Sequence, residues 1–264
     1  MIARKTFQEL LPTFVIYLLV MEIILLPAIV LWPDLKIIGD QLGPILGLTK
    51  ILGKSVFSDV IQAVGDYHDY YALQAFFKGA NVCGAAAAVL VGTGLIARER
   101  ENHTLEFLIT RPISSSRILF EKFTVATIGL TVPIFLVTWS GIPLSAWFVQ
   151  EELHFVEVTL AAWHSSIFIV CMLALTTLCS VIFRSQSHTA AIAGVFIVSQ
   201  VTLFFVQTAR KFSLFQLSDI DVYAPILSGE LGFTDLLTWM ELWMFGTIIL
   251  LYLISDRLLR RIAL

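Results

Sequence analysis

The sequence predicts an all-α integral membrane protein with six transmembrane helices, and three observations carry that prediction. Hydrophobic residues make up 58% of the chain and charged residues only 14%, against about a quarter charged in soluble domains. Mean hydropathy is +0.86. The apolar residues are gathered into six runs, each of the ~20 residues that a helix needs to cross a bilayer. A single transmembrane domain over residues 1–264 is expected, with no nucleic-acid partner.

The elements follow in chain order. MIARKTFQEL, residues 1–10, is an amphipathic segment that leads into an apolar run long enough to span and without a small-residue cleavage site. The first span is therefore expected to be kept, not cleaved as a signal peptide. Spans are expected at 11–32, 79–97, 123–149, 155–183, 189–208 and 236–255. The third and fourth runs exceed what a bilayer requires, which predicts tilt or a kink, and Pro133 and Pro143 offer kink points in the third. Two connecting segments are longer than turns. Residues 33–78 mix apolar and charged residues with helical spacing in VFSDVIQAV, which predicts one or two amphipathic helices on the outer surface. Residues 209–235, containing DIDVYAPILSGELGF, are acidic and rich in turn formers.

Basic residues set the orientation, because they concentrate in cytoplasmic loops. With both termini in the cytoplasm, Arg4, Lys5, Arg98, Arg100, Arg111, Arg117, Lys122, Arg184, Arg257, Arg260 and Arg261 fall inside, 11 of the 17 Lys and Arg. Lys36, Lys50, Lys54, Lys78, Arg210 and Lys211 fall outside. The short loop after the third span carries Glu151 and Glu152 and no basic residue. Trp32, Trp147 and Trp239 are expected to form an outer aromatic belt.

Between the second and third spans lies ARERENHTLEFLITRPISSSRILFEKF, residues 97–123. Its arginines fit a cytoplasmic loop, but Glu99, Glu101, Glu106 and Glu121 are interleaved with them. Leu105, Leu108 and Ile109 recur at i, i+3, i+4, which predicts a short amphipathic helix. Asn102 or Thr104 can cap its start and Pro112 ends it. The serines 114–116 can cap the helix that follows. Such a helix, held between two spans by tight turns, is suited to docking in a groove on a partner protein or on lipid headgroups.

The stretch from Gly94 resembles the coupling region of ABC-2-type permeases, the membrane subunits of ABC exporters, and especially the NosY-like branch. The family pattern ERExxTLExLLxxP[IV]SR is matched by Glu99, Arg100, Glu101, Thr104, Leu105, Glu106, Leu108, Pro112, Ile113 and Ser114. His103 stands where the family usually has Gly, and Ser115 where a basic residue is common, with Arg117 two places later. The resemblance implies a plasma (inner) membrane subunit that pairs with a second permease, as a homo- or heterodimer. Each permease clasps a cytoplasmic ATPase, and a coupling helix within 98–117 transmits nucleotide-driven closure. It implies that this chain binds no cofactor of its own, ATP and Mg being held by the ATPase. It further implies that Glu99, Glu101, Glu106 and Arg111 meet complementary charges on the ATPase while Leu105 and Leu108 supply affinity. Residues 209–235 are then an outer re-entrant loop, and the cleft between permeases is lined mainly by the first, second and fifth spans.

Other chemistry is weaker. GLTKILGKS at 47–55 has five residues where a phosphate loop has four between Gly47 and Gly53-Lys54-Ser55, and it lacks a preceding strand. His164 beside Ser165 and Ser166 is the one constellation that tempts a hydrolase reading. Adjacent helical residues point apart, so a polar residue near the outer end of the fourth span is the better reading. Asp66, Tyr67, His68, Asp69, Tyr70 and Tyr71 read as an outer polar rim before they read as a metal site. Cys83, Cys171 and Cys179 lack metal-ligand spacing. Glu22 lies deep in the first span, where a charge costs a few kcal/mol and usually faces a cavity or a partner. Glu22 and Gln200, in the fifth span, are the candidates for the translocation path, and Glu241 reads as an interfacial anchor. The preferred function is ATP-driven export. The alternatives are a mechanotransmission complex acting on an extracytoplasmic protein through residues 33–78, and a membrane enzyme using His164.

Overall fold

The computed structural model describes residues 2–46, 65–103, 114–206, 208–232 and 239–263. These are almost wholly helical and contain no strand. Helix α1 runs Ile2–Leu46. Helix α2 starts as α-helix at Tyr67–Tyr71, widens to a π-helix over Ala72–Cys83, and returns to α-helix over Gly84–Gly94. A short α3, Ala97–Glu101, follows. Then come α4, Ser115–Phe148, α5, Phe155–Ile182, and α6, Gln186–Phe205. Two 3₁₀ turns, Arg210–Phe212 and Leu214–Ser218, lead into α7, Ile220–Leu227, and α8, Trp239–Ala263, closes the chain. Six of these stretches are long and apolar enough to cross a membrane.

The helices alternate in direction, and side-chain contacts define the two ends of the bundle. At one end the Ala3 N–H donates to Glu121, and Arg260 Nε donates to Ser116 Oγ, so the start of α1 and the end of α8 both meet the start of α4. At the other end Lys36 lies 3.9 Å from Glu151, and Arg210 pairs with Asp219. Helices α2 and α5 form the centre, while α6 and α8 leave most of their surface uncovered. In α1, Phe14, Tyr17, Met21, Leu25, Ala28 and Trp32 recur at helical spacing and are buried, whereas Ile16, Ile23 and Val30 on the opposite side are exposed. Close packing relies on small residues, as membrane helices require. A Cβ at Gly129 would fall 2.1 Å from the Phe14 ring, and one at Gly92 would fall 2.0 Å from Thr176 Oγ1.

Several sequence expectations change. The second membrane helix starts at Tyr67, twelve residues before the expected 79, because residues 67–78 continue one helix into the core. Tyr67, Tyr70 and Tyr71 are 3%, 4% and 1% exposed, so they are not a surface rim. Trp32 is not part of a belt either. It is 1% exposed and packs on Tyr67 and Tyr70 with ring centroids 5.4 and 4.7 Å away. Trp147 is 81% exposed, as a belt residue would be. Helix α4 remains one helix through Pro133 and Pro143; as expected, Ser114 caps it by accepting the Arg117 N–H, and it therefore starts at Ser115, ahead of the apolar span. The GLTKILGKS stretch lies outside the described residues.

Candidate functional site

The charged end of the bundle is built around a break in the second membrane helix. At Leu95 and Ile96 the helix turns, and α3 begins with N–H groups that have no intrahelical acceptor. Ser180 Oγ, on α5, accepts from the N–H groups of Ile96 and Ala97 at 3.0 and 2.8 Å and donates to the Thr93 carbonyl at 3.0 Å. The carbonyl of Leu95 accepts from Lys122 Nζ at 2.8 Å. One hydroxyl and one ammonium thus fill the gap that the turn opens.

Lys122 also sits 2.7 Å from Glu99 Oε1, and both side chains are buried. Two opposite charges at that distance in a poorly solvated site hold each other firmly, because either alone would remain an uncompensated buried charge. The pair joins α3 to α4. Arg100 reaches the C-terminus of α5 and donates to the Val181 carbonyl at 2.7 Å, where the helix leaves carbonyls unpaired. Glu101 reaches the N-terminus of α6 and accepts the Gln186 N–H at 2.9 Å and the Ser185 hydroxyl at 3.3 Å. A carboxylate there satisfies an orphan donor and opposes the helix dipole favourably. The consecutive residues 99–101 therefore fasten this corner to three different membrane helices. Beside it a cavity of about 200 Å³ is lined by Thr6, Glu9, Thr13, Arg98, Lys122 and Gln186, among others.

Immediately after α3 the backbone of His103 has φ 55°, in the left-handed region, and its N–H donates to the Arg100 carbonyl. That conformation favours Gly. Thr104, Leu105, Glu106, Leu108, Arg111 and Pro112 lie outside the described residues.

Of the two candidates for the translocation path, Glu22 is half-buried and accepts a hydrogen bond from Ser140 Oγ of α4 at 2.9 Å. Gln200 has its carbonyl oxygen engaged by the Leu214 N–H at 3.0 Å, and its backbone carbonyl accepts the Ser213 hydroxyl at 2.6 Å. Gln200 thus anchors the first 3₁₀ turns after α6, and the two residues serve different contacts.

Residues 54–228 match a family model described as ABC-2 family transporter protein. The chain belongs to that family. No curated protein matches it. The matched region runs from before α2 to the end of α7, so it holds the break at Leu95, its fastenings and the whole of α4, α5 and α6. Membership makes the chain a membrane component of a transport system, and it fits the six apolar helices.

The far end of this ABC-2 protein carries a buried polar group that the sequence did not reveal as a unit. Asn81 Nδ2 donates to Ser218 Oγ at 2.6 Å and to Tyr223 OH at 2.7 Å, and Tyr223 OH is 2.8 Å from Ser165 Oγ. Burial pushes the Tyr223 phenol up to about 12, against the opposing pull of its hydrogen bonds with Ser165, Asn81 and Ser218. Burial also raises Asp219, against the pull of Arg210. His164, next to Ser165, bonds through Nε2 to the Leu217 carbonyl at 2.8 Å, and its Nδ1 lies 3.6 Å from Glu241 Oε1. Glu241 is 1% exposed, so it is not an interfacial anchor. The one sequence signal for this group was the rarity of His and Glu inside apolar runs.

Proposed function

We propose that this ABC-2 protein is the permease subunit of an exporter of the NosY-like branch. It works in the plasma (inner) membrane with both termini in the cytoplasm, beside a second permease and two ATPase subunits that hold ATP and Mg. The observation that carries this reading is the fastening of residues 95–101 to α4, α5 and α6. A segment pushed by an ATPase can move membrane helices only if its base is rigidly joined to them. Residues 99–101 supply that base, and the docking surface falls to the residues that follow.

Under this reading Leu105 and Leu108 enter a groove on the ATPase, and Glu106 and Arg111 orient it by charge. Thr104 and Pro112 bound the helix. Glu99 and Glu101, with their carboxylates occupied internally, act as positioning residues for that helix. Glu22 faces the cleft between permeases, and the uncovered apolar sides of α1 and α6 meet the second permease and lipid. The test is Leu105→Asp with Leu108→Asp in the full chain, expressed with its ATPase. Membrane insertion should persist while the ATPase no longer co-purifies, and unchanged co-purification would reject the docking assignment.

A further inference from the structure

We infer that His164 and Glu241 together form a proton-binding site, and that the bound proton locks the segment Ser213–Leu227 onto α5 and α8. Leu217 offers only a carbonyl, so His164 Nε2, 2.8 Å away, must carry its hydrogen. That leaves Nδ1 facing Glu241 Oε1 at 3.6 Å. Among the described residues, neither Nδ1 nor either oxygen of Glu241 has a hydrogen-bond partner, and both side chains are 1% exposed. A carboxylate facing an imidazole lone pair in such a place would be an uncompensated buried charge. One proton between the two removes that charge, whether it rests on the carboxyl or makes the imidazole cationic. With no proton the pair is anionic, and with two it is cationic. Only the singly protonated pair is neutral.

The position gives the proton something to control. His164 stands on α5, Glu241 on α8, and the acceptor for Nε2 lies in the 3₁₀ turn Leu214–Ser218. The pair is therefore the joint of three elements, one of them the segment between the fifth and sixth membrane helices. The other ionisable groups near the pair are Tyr223, Asp219, Glu157 and Asp221. Tyr223 packs edge-on to the imidazole with centroids 5.5 Å apart, and its phenol at about 12 stays neutral. Asp219 is paired with Arg210. Glu157 lies two helical turns from His164 on the same face of α5 and has its own buried oxygen, Oε2, without a hydrogen-bond partner among the described residues, so its substitution serves as the control below, and Asp221 is on α7.

The test follows backbone hydrogen exchange of residues 214–227 in the full chain in lipid nanodiscs, corrected for intrinsic rates and referenced to α4, as pH is varied. In the wild type, protection should be greatest at an intermediate pH and fall on both sides, by up to about tenfold per pH unit once the neutral state is left. Glu241→Gln should lose the alkaline fall and keep the acid one. His164→Gln should do the reverse, and Glu157→Gln and Asp219→Asn should keep both. Falls that persist in both pair variants would overturn the assignment. If either pair variant does not fold, ¹⁵N-histidine spectra of the wild type decide. A His164 Nδ1 that is protonated or hydrogen-bonded supports the site, and a bare acceptor Nδ1 at every pH overturns it.

Discussion

At the residue scale, three side chains next to the break in the second membrane helix carry predictions. His103 holds a left-handed backbone conformation, which costs a side chain about 1 kcal/mol relative to Gly. His103→Gly should therefore raise the thermal unfolding midpoint slightly and leave co-purification of the ATPase intact. Glu99 compensates the buried ammonium of Lys122, so Glu99→Ala should destabilise by about 3–5 kcal/mol. Adding Lys122→Met should recover most of that loss, and a thermal-shift series on the two single variants and the double variant checks it. Ser180 satisfies two backbone N–H groups at once, and Ser180→Ala should cost about 1–3 kcal/mol, read in the same series.

At the element scale, α2 and α5 approach closely enough that Thr176 occupies the space a side chain at Gly92 would need. Gly92→Ala should cost about 1–3 kcal/mol through overpacking, measured as a lowered unfolding midpoint. Gly194 on α6 meets nothing within 4 Å, so Gly194→Ala is the matched control. The same elements show what the sequence discloses and what it hides. Six apolar runs were legible because length and hydropathy alone define a span, and His103 was legible as the place where Gly belongs. Trp32 was not, because in lipid the core side and the outer side of a helix are both apolar and periodicity cannot tell them apart. The start of α2 was missed for a related reason: its tyrosines look amphipathic, yet Tyr70 and Tyr71 satisfy their hydroxyls on the carbonyls of Ala28 and Thr138 inside the bundle. Lys122 counted toward the positive-inside rule but is buried. Its role depends on Glu99, 23 residues earlier, and no local pattern links the two.

At the scale of the whole molecule, the two ends of the bundle do different work. One end gathers the start of α1, the end of α8, the fastened corner at 95–101 and the start of α4, and the other gathers the aromatic turn at Tyr67–Tyr71, the segment 213–227 and the His164–Glu241 pair. Helices α2 and α5 run between them as the buried centre. Under the proposed function, a displacement imposed at the first end would be conveyed by these two best-packed helices. Under the same function, residues 104–112 dock an ATPase and the corner at 99–101 passes its motion on. The most direct measurement compares ATPase recovery and ATPase-dependent transport in the wild type, Leu105→Asp/Leu108→Asp and Glu101→Ala. The leucine variant should lose the ATPase, whereas Glu101→Ala should retain it but transport less per ATP hydrolysed. Full recovery of the ATPase with the leucine variant, or unchanged coupling in Glu101→Ala, would contradict this reading.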